Sequence, residues 1–166
     1  AWVHATLAES IVAAHSRFGI PFSPAEREEF WRQWRDLGLL LGVRERDLPA
    51  TWDGFRAYVD ATVQTTLQDN DVVQSVLRSL GGPVPPPVWG LGAPAWRVAS
   101  RPLVAVSALA TPGLLTPAAR ERLHLPWSPR RERDLHALGV VLRAGTPLLP
   151  GPARVMGPTW LRVRGL

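Results

Sequence analysis

Apolar residues recur along most of this chain three or four positions apart, which is the spacing of an amphipathic α-helix. Residues 1–18 carry the first such pattern, and Gly19 follows at a position typical of a helix C-terminus. His4 and His15 lie eleven residues apart in this segment, close to three full turns. Both imidazoles are therefore expected on one face of one helix, but about 16 Å apart, too far to share a metal ion.

A capping box marks the start of the second predicted helix. Ser23 can accept a hydrogen bond from the backbone of Glu26 while the Glu26 carboxylate reaches back, and Pro24 lies at the first helical position. The helix is predicted over residues 24–41. Its apolar stripe comprises Phe30, Trp34, Leu37 and Leu41, with Trp31 and Gly38 beside it. The missing side chain at Gly38 would let a neighbouring helix or a flat ligand come close.

Similar start and stop signals delimit the remaining helices. They are predicted over residues 52–68, 72–80, 94–110, 117–124 and 129–144, the last two opening at Thr116-Pro117 and Ser128-Pro129. The pattern of residues 94–110 alone also fits a buried strand. Residues 81–94 are rich in proline and glycine and predict a connector, and the tail from 145 to 166 is expected to be irregular.

Together these elements predict an all-α fold, a single domain of six to seven helices over residues 1–166. The connector at 81–94 divides an N-terminal half (1–80) from a C-terminal half (95–166). Neither half alone carries enough apolar surface for a secure core, so two separate domains are not expected.

Composition narrows the classes of function. The 166 residues include no cysteine, which excludes disulfides, thiolate metal sites and cysteine nucleophiles. All 19 basic residues are arginine, and many lie within four positions of an acid, as on a solvated helix face. The net charge of +5 therefore predicts no nucleic-acid partner. No apolar stretch is long and unbroken enough for a transmembrane helix, and a cytoplasmic location is expected.

Four residues of the first two helices are candidates for a cofactor pocket. His4 could contact a metal or haem iron, although a core imidazole bonded to a backbone carbonyl is the simpler interpretation. Thr6 could present its hydroxyl to a pocket, but a mid-helix threonine more often bonds the carbonyl of the preceding turn. Trp34 could line a flat apolar pocket and Arg35 could pair with a carboxylate, or both could simply pack at the helix surface. The sequence identifies no catalytic residue and no metal-ligand set.

Four ordered segments resemble the MpaB and rubber-oxygenase catalytic-domain family, the family of latex clearing protein, in its bacterial branch. They are WVHATLAESIVAAHSRFG, SPAEREEFWRQWRDLGLLLGV, LPATWDGFRAYVD and GLLTPAARERLHLPWSPRRERDLHAL. The resemblance extends from residue 1 to about residue 150. It implies an all-helical fold that holds haem b between helices and uses dioxygen on a hydrophobic substrate, with isoprenoid chains among the candidates.

The same resemblance assigns roles to the candidate residues. It places His4 and Thr6 in a block whose polar residues face the haem, and Trp34 and Arg35 in a block of the neighbouring helix. The proximal haem histidine is expected on a helix upstream of residue 1, so the chain is expected to be the C-terminal portion of the catalytic domain.

Two hypotheses follow. The first is a haem-dependent oxygenase-type oxidoreductase, truncated here, in which Trp31, Trp34 and aliphatic side chains form an apolar channel for a small hydrophobic substrate. The alternative is a non-catalytic helical module that binds a hydrophobic ligand or partner. An apolar groove left by a missing helix would also favour self-association.

Overall fold

The computed structural model describes residues 1–80 and 93–149, and that part of the chain forms eight α-helices and two short 3-10 helices without any strand. The α-helices are α1 (Trp2–Phe18), α2 (Pro24–Leu40), α3 (Trp52–Thr65), α4 (Asp71–Leu80), α5 (Ala93–Ala99), α6 (Arg101–Leu114), α7 (Pro117–Arg122) and α8 (Pro129–Gly145). The 3-10 helices are Glu45–Asp47 and Thr146–Leu148. The predicted all-α class is confirmed. Most of the predicted connector, at 81–92, and the tail beyond 149 lie outside the described residues.

The predicted start signals are confirmed at the helix N-termini. Ser23 Oγ accepts from the backbone N–H of Glu26, and a Glu26 carboxylate oxygen accepts from the backbone N–H of Ser23 at 2.8 Å, so the capping box is complete. The hydroxyl oxygens of Thr116 and Ser128 cap α7 and α8 by accepting from the backbone N–H three residues on, and each is followed by a proline. Local side-chain chemistry therefore sets where these helices begin.

The stretch predicted as one helix over 94–110 is divided in the structure. It forms α5 and α6, joined at the buried Ser100. Pro102 accounts for the new start, because it lacks a backbone donor and its fixed φ suits the first turn of a helix, although α6 also carries Pro112 in its interior. This division gives eight α-helices in the described residues rather than six or seven, and it removes the alternative of a strand there.

Helix α1 lies at the centre of the fold and packs against α2, α3, α6 and α8. Its small residues Ala5 and Ala8 are buried, which allows the neighbouring helices to approach closely. Beside them lie the fully buried rings of Trp31 and Phe55, stacked with centroids 4.2 Å apart. The indole N–H of Trp31 donates to the carbonyl of Pro49 at 2.9 Å, so this polar atom is satisfied inside the core.

The face that α2 buries differs from the predicted stripe. Trp31 and Gly38 are buried, whereas Leu37 and Leu41 are 41% and 70% exposed. The prediction of an inward Leu37 and Leu41 is therefore wrong. The helix turns its largest ring and its glycine toward α1 and α3, because only this rotation buries the Trp31 ring against Phe55.

Glycines allow two further close approaches around α8. A Cβ added to Gly139 would lie 2.2 Å from the carbonyl oxygen of Arg17, so the end of α1 passes directly over α8. A Cβ added to Gly113 would lie 2.6 Å from the side chain of the fully buried Leu135, where α6 packs on α8. No helix among the described residues has both the length and the apolar character needed to cross a membrane.

Candidate functional site

His4 is buried between α1 and α2. Its Nε2–H donates to the backbone carbonyl of Trp34 at 2.8 Å, and its own backbone carbonyl accepts from the Trp34 indole N–H at 3.0 Å. The two rings also stack, with centroids 5.1 Å apart. This is the arrangement expected of a core imidazole. The hydrogen bond to Trp34 engages Nε2, a ring nitrogen through which histidine ligates metals.

His15 lies on the same face of α1, as the spacing predicts. Its ring stacks on Phe22 with centroids 4.5 Å apart, and Phe22 stacks in turn on Phe30, which stacks on Trp34. The two histidines are therefore the ends of a continuous row of five aromatic rings along the α1–α2 interface. The row positions α2 on α1, and His15 itself is exposed at its outer end.

Arg35 lies outside this row. Its guanidinium pairs with the carboxylate of Glu45 at 2.7 Å and approaches the carbonyl of Leu48. The side chain thus fastens the 3-10 helix Glu45–Asp47 to α2 through its Nε and Nη2 atoms, and Nη2 is engaged by a carboxylate of the protein itself.

Thr6 lines a cleft of about 450 Å³ on the other side of α1. Position 6 follows position 4 by about 200° around a helix, so the side chains of His4 and Thr6 leave α1 in nearly opposite directions. The structure brings His4 and Trp34 together, with Arg35 nearby on α2, and it separates Thr6 from all three. The roles of these four residues beside a haem stay predictions. Trp31, expected in a channel wall, is instead fully buried in the core.

The cleft lies between α1, α3 and the junction of α6 with α7. Helix α3 contributes Val59 and Val63, with Leu67 just beyond its end. The far wall is formed by aliphatic side chains, namely Leu114, Leu115, Ala119 and Leu123. Most of the cleft surface is therefore hydrocarbon, as in sites that bind apolar molecules.

Of the α1 wall of the cleft, the sequence analysis identified only Thr6, although a signal for the other residues was present. Trp2, Thr6, Glu9 and Ser10 line it, and their spacing of four, three and one positions places them on one helix face. The pairing of Glu9 with Arg56 of α3 could not be predicted from sequence, since it joins residues far apart in the chain.

Two results limit the chemistry of the described residues. Across 1–80 and 93–149, no group of three or more histidine or carboxylate side chains could hold a metal ion. In addition, none of the four histidines lines the cleft, although all four belong to the described part. The cleft walls can hold and desolvate an apolar molecule, but they present no imidazole to it.

The structure thus shows an all-helical domain with a cleft of mostly apolar lining. Residues 1–144 match the model of one protein family, described as "ER-bound oxygenase mpaB/B'/Rubber oxygenase, catalytic domain". The chain belongs to this family of oxygenase catalytic domains, as the resemblance of its sequence segments predicts. Neither a curated protein nor a solved structure matches the chain significantly.

The haem expected from the resemblance can be tested against these residues. An apolar wall suits one side of a flat macrocycle, but iron also needs an axial ligand. The Nε2 atom of His4 is bonded to a carbonyl, and the Arg35 guanidinium, a candidate for a propionate, is paired with Glu45. The described residues therefore fit as an apolar wall and do not fit as an iron-ligating set.

Proposed function

We propose that this chain is part of an oxygenase-type oxidoreductase and that the cleft beside Thr6 holds its hydrophobic substrate. The observation that carries the proposal is the cleft of about 450 Å³ with its aliphatic walls, in a chain that belongs to an oxygenase catalytic-domain family. Dioxygen is the second substrate that membership of such a family suggests.

Three hydroxyl groups along the cleft support an apolar occupant. The Thr6 hydroxyl donates to the carbonyl of Val3 at 2.9 Å, and the Ser10 hydroxyl donates to the carbonyl of Thr6 at 2.8 Å. Thr116 accepts from the backbone N–H of Ala119 as a helix cap. Because each of these hydroxyls already has a hydrogen bond with a backbone group of the protein, a hydrocarbon can enter the cleft without leaving them unsatisfied.

In this role the chain's own residues bind, orient and desolvate the substrate. Burying apolar surface contributes about 25 cal/mol per Å², so a hydrocarbon chain enters the cleft because water leaves both surfaces. Haem b stays the cofactor predicted from the resemblance. It would supply the activation of dioxygen. A cytoplasmic location and self-association likewise stay predictions.

A matched pair of threonine variants tests the cleft. Thr6→Leu inserts a larger side chain into the cleft, whereas Thr65→Leu makes the same change at an exposed threonine of α3 whose hydroxyl is also bonded to the backbone. We expect Thr6→Leu to weaken the binding of the neutral fluorescent probe N-phenyl-1-naphthylamine about tenfold and Thr65→Leu to leave it unchanged. Equal binding by both variants would refute the cleft as the binding site.

The alternative is a helical module that binds a hydrophobic molecule without catalysis. It is favoured by the hydrogen bond of His4 Nε2–H to the carbonyl of Trp34, which leaves the buried imidazole bonded within the fold. Haem titration separates the two functions. An oxygenase is expected to give a Soret band when haem is added to the full-length protein. A protein that binds the fluorescent probe but gives no Soret band would support the module.

A further inference from the structure

Glu9 is an unusual wall residue for a cleft of this kind. Among the described residues that line the cleft, it alone carries a charge, and its side chain is only 19% exposed. A carboxylate next to hydrocarbon walls is costly unless another group compensates its charge. Its presence therefore needs a partner within the fold, a partner in the ligand, or both.

The partner within the fold is Arg56 of α3. Nη1 of Arg56 is in close ionic contact with Oε2 of Glu9, and Nη2 lies 3.7 Å from a carboxylate oxygen of Asp60. Burial acts to lower the pKa of Arg56, but the contact with Glu9 and the charges of Glu9 and Asp60 outweigh it and raise the pKa. Arg56 therefore stays charged, and the three groups together carry one net negative charge.

Arg56 does not use the full hydrogen-bonding capacity of Glu9. An ionised carboxylate has about four acceptor positions on its two oxygens. Oε2 is shielded from solvent and is taken up by its ionic contact with Arg56, whereas no described residue donates a hydrogen bond to Oε1. Thr6 and Ser10, the neighbouring hydroxyls on α1, donate to backbone carbonyls instead. The acceptor capacity of Oε1 is thus left for a donor that arrives in the cleft.

We infer that Glu9 determines specificity in this cleft, which selects an apolar chain ending in a hydrogen-bond donor, a hydroxyl or an ammonium group. A chain ending in a carboxylate is rejected, because it would bring a second negative charge against Glu9 at low local dielectric. The inference rests on the proposed role of the cleft in holding a hydrophobic substrate, and it adds the chemistry of that substrate's polar end.

Three molecules with the same hydrocarbon chain test the selectivity. Decylamine, decanol and decanoic acid are each used to displace N-phenyl-1-naphthylamine from the purified chain at neutral pH. We expect the amine and the alcohol to bind at least about tenfold more tightly than the acid, because a donor to a carboxylate forms a charge-assisted hydrogen bond. Selectivity below about twofold in the native chain would overturn the inference, whatever the variants show.

Two variants assign the selectivity to Glu9. Glu9→Gln keeps the size of the side chain and an oxygen toward Arg56 but removes the charge, so the preference for the amine over the acid should fall to near one. Asp60 is the other carboxylate beside Arg56, and it does not line the cleft. Asp60→Asn should therefore keep the preference for decanol over decanoic acid. Loss of that preference in Asp60→Asn alone would assign the effect to long-range charge and overturn the role of Glu9.

The outcomes also separate this inference from the proposed function. If all three molecules bind equally and Thr6→Leu weakens them all, the cleft binds hydrocarbon without reading the polar end, and only the specificity role fails. If Thr6→Leu has no effect on the probe or on any of the three molecules, the cleft is not the binding site and both proposals fail.

Discussion

The imidazole of His4 occupies the space in which residue 38 would carry a side chain. A Cβ added to Gly38 would lie 2.7 Å from Nε2 of His4 and 3.1 Å from the neighbouring ring carbon. The flat group that the glycine was expected to admit is therefore the protein's own histidine. This contact, together with the bond from Nε2–H to the Trp34 carbonyl, fixes the imidazole between the two helices.

Gly38→Ala should destabilise the protein although alanine is the better helix former. The change gains about 1 kcal/mol in helix propensity. It also forces the His4 ring away from the Trp34 carbonyl, and overpacking of this kind costs about 1–3 kcal/mol. We expect a net loss of about 1 kcal/mol in the free energy of unfolding, measured by urea denaturation.

Gly145→Ala provides the matched control for this prediction. Gly145 is the last residue of α8, its φ is −83°, and no neighbouring atom lies within 4 Å of an added Cβ. Alanine there should leave stability unchanged or raise it by up to about 1 kcal/mol. If Gly38→Ala were as stable as Gly145→Ala, the imidazole would not be held as the structure shows.

Gly139→Ala should be more damaging than Gly38→Ala. The added Cβ would lie 2.2 Å from the carbonyl oxygen of Arg17, a backbone atom that cannot rotate away as a side chain can. Helices α1 and α8 would have to separate, which would also stretch the bond from the Arg143 guanidinium to that carbonyl. We expect a loss above about 3 kcal/mol or failure to fold, read from circular dichroism and thermal melting. A melting temperature equal to that of the native chain would contradict the close crossing.

The helix starts could be predicted because their causes are local. Ser23 with Glu26, and Thr116 and Ser128 before their prolines, need only neighbours three residues away. The rotation of α2 could not be predicted in this way. Leu37 and Leu41 continue the apolar pattern as well as Trp31 does, and only the ring of Phe55 on another helix decides which face is buried.

The candidate site shows the same division between local and distant causes. The shared face of His4 and His15 follows from helix geometry alone, and it is confirmed by the row of rings between them. The cleft depends on α3, α6 and α7 meeting opposite Thr6. No local pattern encodes that meeting. The assignment of Thr6 and His4 to one pocket came from the family resemblance, whereas their spacing of two positions in a helix places them on opposite sides of α1, as the structure does.

Trp31→Phe should cost about 2–4 kcal/mol in the free energy of unfolding. The smaller ring leaves a void beside Phe55, and the Pro49 carbonyl loses its indole donor. Trp34→Phe is the comparison, because Trp34 is only half-buried while its indole N–H also donates to a carbonyl, that of His4. It should cost less, about 1 kcal/mol. Equal losses in urea denaturation would show that burial does not distinguish the two indoles.

Glu132 should make the stability of the protein depend on pH in the acid range. Its carboxylate is in ionic contact with Arg17 and accepts from the indole N–H of Trp127 at 2.9 Å, and these contacts, Arg17 first, lower the pKa of Glu132. Because the folded pKa lies below the unfolded one, the ionised carboxylate stabilises the fold above the unfolded pKa, and the contribution is lost as pH falls through the folded pKa. Glu132→Gln should therefore be less stable than the native chain at pH 7, and the difference should shrink toward strongly acid pH.

Glu121→Gln, at an exposed position of α7, corrects for removing one negative charge from a basic chain. A stability difference that stays constant down to the acid limit, after that correction, would show that the carboxylate of Glu132 is not held by Arg17 and Trp127.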